Sequence, residues 1–147
     1  MSSWVVDASV ALKWFLPEPG TEKAVALLSD VERGEEIIAP DLILLEVASA
    51  LRKRARKGEL SKQEAGSIIR QLNRARLHLL SSREITPFAF EIASSIGCSV
   101  YDGAYLAAAA ILERPLVTAD AALVRLACGG GFANLVILLD EWPPKRS

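Results

Sequence analysis

The chain is predicted to be an α/β protein, a three-layer α/β/α sandwich around a central parallel sheet of about five strands, with a helical hairpin added. Two observations carry this reading. Short apolar runs alternate with amphipathic helical stretches, and strands of that composition are the ones helices cover on both faces. The 147 residues, 51% of them hydrophobic, are also enough for one well-filled core. Without repeats or low-complexity linkers, residues 1–142 read as a single domain and 143–147 as a loose C-terminal tail.

The elements follow in order. Trp4 to Val6 is a first strand ending at Asp7, and Ala8 to Phe15 a short helix broken by Pro17, Pro19 and Gly20. A second helix runs from Thr21 to about Arg33, and Glu36 to Ala39 is a second strand closed by Pro40. Asp41 to Lys57 is a long helix that Gly58 stops. Ser61 and Glu64 have the spacing of a capping box, which opens a helix to about Leu77 and completes the hairpin. Leu80 to Ile85 is the expected third strand, and Thr86-Pro87 the expected start of a helix that stops at Gly97. Tyr101 to Glu113 is an Ala-rich helix suited to close packing. Leu116 to Thr118, Ala121 to Ala127 and Leu135 to Leu139 supply strand, helix and strand, with Gly129 to Gly131 a plain loop.

Composition excludes several classes. A net charge of −1 and a pI near 5.9 give no global attraction to nucleic acid or membranes. Cys98 and Cys128 have no paired spacing, which argues against zinc and fits a reducing, cytoplasmic setting. Asp7 and Lys13 interrupt the N-terminal apolar run, so neither a signal peptide nor a membrane span is expected. His78, the only histidine, reads as a surface residue ending a helix, so cleavage of RNA by two histidines is excluded. A receiver domain would need a second acid after the first strand, where Ala8 stands. An aspartyl phosphotransferase would need an Asp where Ser9 stands.

Four acids lie in apolar settings: Asp7, Glu46, Asp102 and Asp120. A carboxylate beside aliphatic side chains is costly unless something compensates it. For each Asp, capping of a helix start is the plain alternative. Glu46 lies within a helix, where an ion pair would be the alternative, and its nearest cation is Arg52. In an open parallel sheet, strand ends and helix starts share one edge, so the four can meet there. Oxygen-only ligands suit Mg2+ or Mn2+.

These residues resemble the PIN-domain ribonucleases, and among them the VapC-type toxins of toxin–antitoxin pairs. The resemblance rests on Asp7-Ala-Ser-Val-Ala-Leu-Lys-Trp-Phe-Leu-Pro-Glu, Pro40-x-Leu42, Glu46-x-x-Ser-Ala-Leu, Tyr101-Asp102-Gly-Ala-Tyr-Leu-Ala and Leu116-Val-Thr-Ala-Asp120. It implies that Asp7, Glu46, Asp102 and Asp120 form a catalytic quartet binding magnesium or manganese, Asp120 for a second ion or a water. Ser9 and Thr118 match hydroxyl positions beside it. It further implies hydrolysis of RNA to a 5′-phosphate and a 3′-hydroxyl, a homodimer, and a VapB-type antitoxin whose tail enters the acidic site. A catalytically silent module that binds RNA or protein is the rival expectation. Two departures from the family pattern are visible: Ser49 where Asn is frequent, and Gly103 where Ala is usual.

Residues 52–76 hold nine Lys or Arg against two acids, a net of +7, so the remainder of the chain carries −8. Arg52, Lys53, Arg54, Arg56 and Lys57 crowd one helix end, and Arg52, Arg54, Arg56 and Lys57 are the candidate contacts to the RNA backbone. The hairpin's apolar positions, Leu51, Leu60, Ile68, Ile69, Leu72 and Leu77, are more numerous than one layer needs.

Overall fold

Five parallel strands form the sheet in a computed structural model that describes residues 3–34 and 36–145. They are β1 (Ser3–Val6), β2 (Glu36–Pro40), β3 (His78–Leu80), β4 (Leu116–Thr118) and β5 (Val136–Leu138), in the order β3-β2-β1-β4-β5. Val5 lies opposite both Ile38 and Leu116, so β1 is central. The helices are α1 (Ala8–Lys13), α2 (Thr21–Ser29), α3 (Ile43–Arg56), α4 (Lys62–Arg74), α5 (Ser82–Ile96), α6 (Val100–Leu112) and α7 (Ala121–Gly129).

Order and handedness together set the layers. From β1 the chain steps outward to β2 and β3, then returns past β1 to β4 and β5. Right-handed crossovers put the helices of the outward steps on one face and those of the return on the other. Contacts agree: α1 packs on α2 and α3, and α3 on α4, whereas α6 packs on α5, β1, β2 and β4. The reversal falls between β1 and β4, whose carboxyl ends carry Asp7 and Thr118.

The capping box is present, with Ser61 Oγ accepting from the Glu64 N–H and Glu64 from the Ser61 N–H. The hairpin's apolar residues belong to the core. Leu51, Ile68 and Leu72 are buried, and Leu60, Ile69 and Leu77 pack against them. Large exposed apolar side chains include Phe88 and Phe90 on α5, Leu45 beside Glu46 at the start of α3, and Tyr101 beside Asp102. From Gly103 to Ala109, α6 is buried throughout, as its small residues allow.

The third strand and the helix after it correct the sequence reading. The strand is His78–Leu80, not Leu80 to Ile85, and α5 begins at Ser82 rather than at Thr86-Pro87. Ser81 caps α5 by accepting from the Arg83 N–H, and Asp41 accepts from both the N–H and the hydroxyl of Ser82. Pro87 is therefore carried inside the helix. His78 is exposed but opens β3 instead of ending a helix. Gly129 to Gly131 is not a plain loop: Gly129 ends α7, and Gly130 and Gly131 leave it, the latter at φ +90.

Of the tail, Arg146 and Ser147 lie outside the described residues. Cys98 and Cys128 are free thiols. No single helix among the described residues is long and apolar enough to cross a membrane.

Candidate active site

Asp7 follows β1 and caps α1, accepting from the Val10 N–H at 3.3 Å. Ser9 Oγ donates to its Oδ1 at 2.5 Å, and the fully buried Thr118 hydroxyl donates to its Oδ2. Ser9 Oγ in turn accepts from the Ala119 N–H, and Thr118 Oγ1 from the Asp120 N–H, both at 3.0 Å. Asp7 is thus tied across the gap between β1 and β4. Both hydroxyl residues singled out in the sequence touch it. Only 6% of Asp7 is exposed, and burial pushes its carboxyl up to about 6. The three hydrogen bonds oppose that rise, and the charge of Asp102 adds to it.

Asp102 lies in the first turn of α6, where Ser99 is the cap. Its carboxyl is raised by burial and then by the charge of Asp120. Asp120 caps α7 through the Leu123 N–H at 3.1 Å and is itself exposed. Capping and site membership are therefore compatible for Asp7 and Asp120: a helix start at the carboxyl edge of the sheet supplies both.

Glu46, in the first turn of α3, makes no ion pair among the described residues. Its partner is Tyr105 of α6, whose hydroxyl donates to Oε1 at 2.6 Å. Burial, then the charge of Asp102, raises the Glu46 carboxyl against that hydrogen bond. Tyr105 is 1% exposed, and burial together with the neighbouring Glu46, Asp7 and Asp102 holds its hydroxyl protonated. Sequence reasoning passed over this residue. Two signals were available: it stands three positions after Asp102, on the same helix face, and a phenol in an Ala-rich buried helix needs a partner.

The four acids are linked by mutual repulsion, with Asp102 feeling or exerting it toward each of the other three. Two nearby cations are engaged elsewhere. Glu18 takes Lys13 at 3.1 Å and Arg54 at 2.8 Å. Burial alone would raise the Glu18 carboxyl, but those two partners hold it below its ordinary value. Among the described residues, no three Asp, Glu, His or Cys side chains converge closely enough to hold one ion between them. The donor set still fits a hydrated magnesium-like ion, which takes one or two carboxylates and fills its remaining positions with water and substrate phosphate.

Beside Glu46 a groove of ≈ 600 Å³ runs along α3, lined by Ser49, Lys53, Arg54 and Lys57 among others. These positions recur at three and four residues and form one helix face. The four basic residues singled out in the sequence divide here. Arg54 and Lys57 lie on this face, Arg54 bound to Glu18. Arg52 and Arg56 line a separate groove against α4. Lys53, part of the same basic cluster but not one of those four, faces the same groove as Glu46, as helical spacing from Glu46 requires.

Residues 4–128 match the PIN domain family. Ribonuclease VapC3 of Pyrobaculum aerophilum is 36% identical over 118 residues, spanning 79% of this chain and 88% of that protein. Among solved structures, PAE2754 of Pyrobaculum aerophilum superposes with a TM-score of 0.67 at 22% identity, covering 95% of this chain and 92% of its own. VapBC2 of Rickettsia felis, crystallised with a DNA fragment from its promoter, gives a TM-score of 0.65 at 15% identity, covering 92% and 98%. At those identities the two structures bear on the fold alone.

Proposed function

This chain belongs to the PIN-domain family, and from that premise we propose that it is a metal-dependent endoribonuclease, the toxin of a VapBC-type pair. The observation that carries the reading is a chain of acids from four segments, in which the charge of Asp120 raises the Asp102 carboxyl and that of Asp102 raises Asp7 and Glu46, with no ion pair to Lys or Arg at any of the four among the described residues. Charge so arranged calls for a cation.

Asp7, Glu46 and Asp102 would share a magnesium or manganese ion, one or two of them bound to it directly and the rest through its waters, with Asp120 at its edge for a second ion or a water. When bound, such an ion lowers the pKa of a water and offsets charge on a phosphodiester. The chain's own contribution is orientation. Ser9, Thr118 and the Val10 N–H fix both oxygens of Asp7, and the start of α6 carries Asp102. Without the ion, Asp7 holds a proton up to about pH 6.

Mixed RNA incubated with the protein should be cut with Mg2+ or Mn2+ present, leaving 5′-phosphate ends, and left whole with chelator. Cleavage that persists in chelator would refute the reading. An antitoxin of the VapB type is the expected partner, with a Lys or Arg of its tail in the ion's place, and a homodimer is the expected assembly.

The groove along α3 then carries the RNA backbone. Changing Lys53 and Lys57 together to Ala should weaken RNA binding about tenfold at low salt and reduce the salt slope by about two. Changing Arg52 and Arg56, on the other face, should do much less. Filter binding across a salt series reads both, and equal losses from the two pairs would disprove the assignment of faces.

A further inference from the structure

We propose that Tyr105 is a positioning residue for the acidic site: its phenol hydroxyl occupies Oε1 of Glu46 and leaves Oε2 as the fixed, free donor. This rests on the reading that Glu46 helps to hold a divalent ion. Three observations support it. The hydroxyl and Oε1 are 2.6 Å apart, between residues 59 positions distant in sequence. Tyr105 is 1% exposed, so water is a poor alternative partner for its hydroxyl. It stands one helical turn after Asp102, so α6 delivers both an acid of the site and the hook that aims another acid across from α3.

Glu46 has three side-chain torsions and, among the described residues, no ion pair to stop it turning. The hydroxyl removes that freedom before any ion arrives, which is how outer partners of metal ligands act. A Phe at position 105 would fill the same space and release the carboxylate. The polar contact is thereby separable from the packing of the ring.

The test is Mn2+ titration of the full chain, followed by calorimetry, for the unaltered protein, Tyr105→Phe, Glu46→Gln and the double variant. Each is also melted in chelator. Tyr105→Phe should bind Mn2+ about ten- to a hundredfold more weakly with its metal-free melting midpoint moved by only a few degrees. In the Glu46→Gln background the same change should add no further loss. With RNA, kcat should fall while KM holds.

Mn2+ affinity equal to that of the unaltered protein would overturn the inference, as would an equal loss in both backgrounds. A large fall in the metal-free midpoint would overturn it in favour of a purely structural bond. If the unaltered chain takes up no Mn2+, the metal reading itself fails, a result distinct from the other three.

Discussion

Asp7→Asn should lower RNA cleavage by about a thousandfold, well beyond the ten- to hundredfold typical for an outer partner of a metal ligand, and at the same time make the metal-free protein more stable at pH 7.5. Asn keeps the shape, and its amide oxygen can still accept from Ser9 or the Val10 N–H, the contacts Asp7 makes now. What disappears is a negative charge that is 6% exposed.

The direction of the stability change follows from proton linkage. The Asp7 carboxyl titrates at about 6 in the folded chain, against an ordinary value of 3.8. A group that binds its proton more tightly when folded contributes stability fully below the unfolded value. That contribution is lost as pH rises through about 6. Above pH 7 the loss is roughly 3 kcal/mol, at about 1.4 kcal/mol per unit. Asn has no such loss, so urea melts in chelator should favour the variant at pH 7.5 by up to that amount and show little difference at pH 4. The gain will fall short of the full figure because the Asn amide nitrogen cannot accept from the Thr118 hydroxyl. A variant that still cleaves RNA and is less stable at pH 7.5 would contradict the assignment. Selection for function at the expense of stability is the pattern expected of an active site.

Much of this was legible in the chain because it is local. The alternation of strand and helix, the capping box at Ser61 and Glu64, and the helix stop at Gly97 depend on neighbours within a turn or two, and all are found. The third strand was misread because its end is set from a distance. Asp41, 41 residues before Ser82, accepts from Ser82 and so fixes where α5 begins. No local pattern carries that. The partner of Glu46 failed for the same reason: an ion pair with a nearby Arg was the obvious local solution, and a phenol 59 residues on is the actual one. The basic cluster shows a different shortfall. Charge counting found it, but only the helix face separates Lys53 and Lys57, which share a groove with Glu46, from Arg52 and Arg56. The four acids were found because a charge in an apolar run is visible without any structure. That Asp7 is buried while Asp120 is exposed was not, since both sit in similar local sequence.

Gly103→Ala should destabilise the protein by about 2 kcal/mol, although Ala is the usual residue after the third acid in the family this chain resembles. A methyl group at Gly103 would lie 2.5 Å from the Ala89 carbonyl oxygen and 3.3 Å from the Ala93 Cβ. Both belong to α5, and the carbonyl is main chain, so it has no rotamer into which to retreat. Helices α5 and α6 must separate, an overpacking cost of roughly 1–3 kcal/mol or more. The better helix propensity of Ala returns up to about 1 kcal/mol. Gly66, in the middle of α4, is the internal control. Its nearest neighbour would be the Arg70 guanidinium at 3.5 Å, the far end of a flexible side chain. There the propensity gain stands unopposed, and Gly66→Ala should stabilise by about 0.5–1 kcal/mol. Thermal melts of the two variants should therefore move in opposite directions, Gly103→Ala down by several degrees. Cleavage should fall with the first alone, because the start of α6 that would be pushed outward carries Asp102 and Tyr105. If Gly103→Ala melts with or above the unaltered protein, α5 and α6 are not packed as closely as this seam requires, and the placement of Asp102 against Asp7 and Glu46 would have to be redrawn with them.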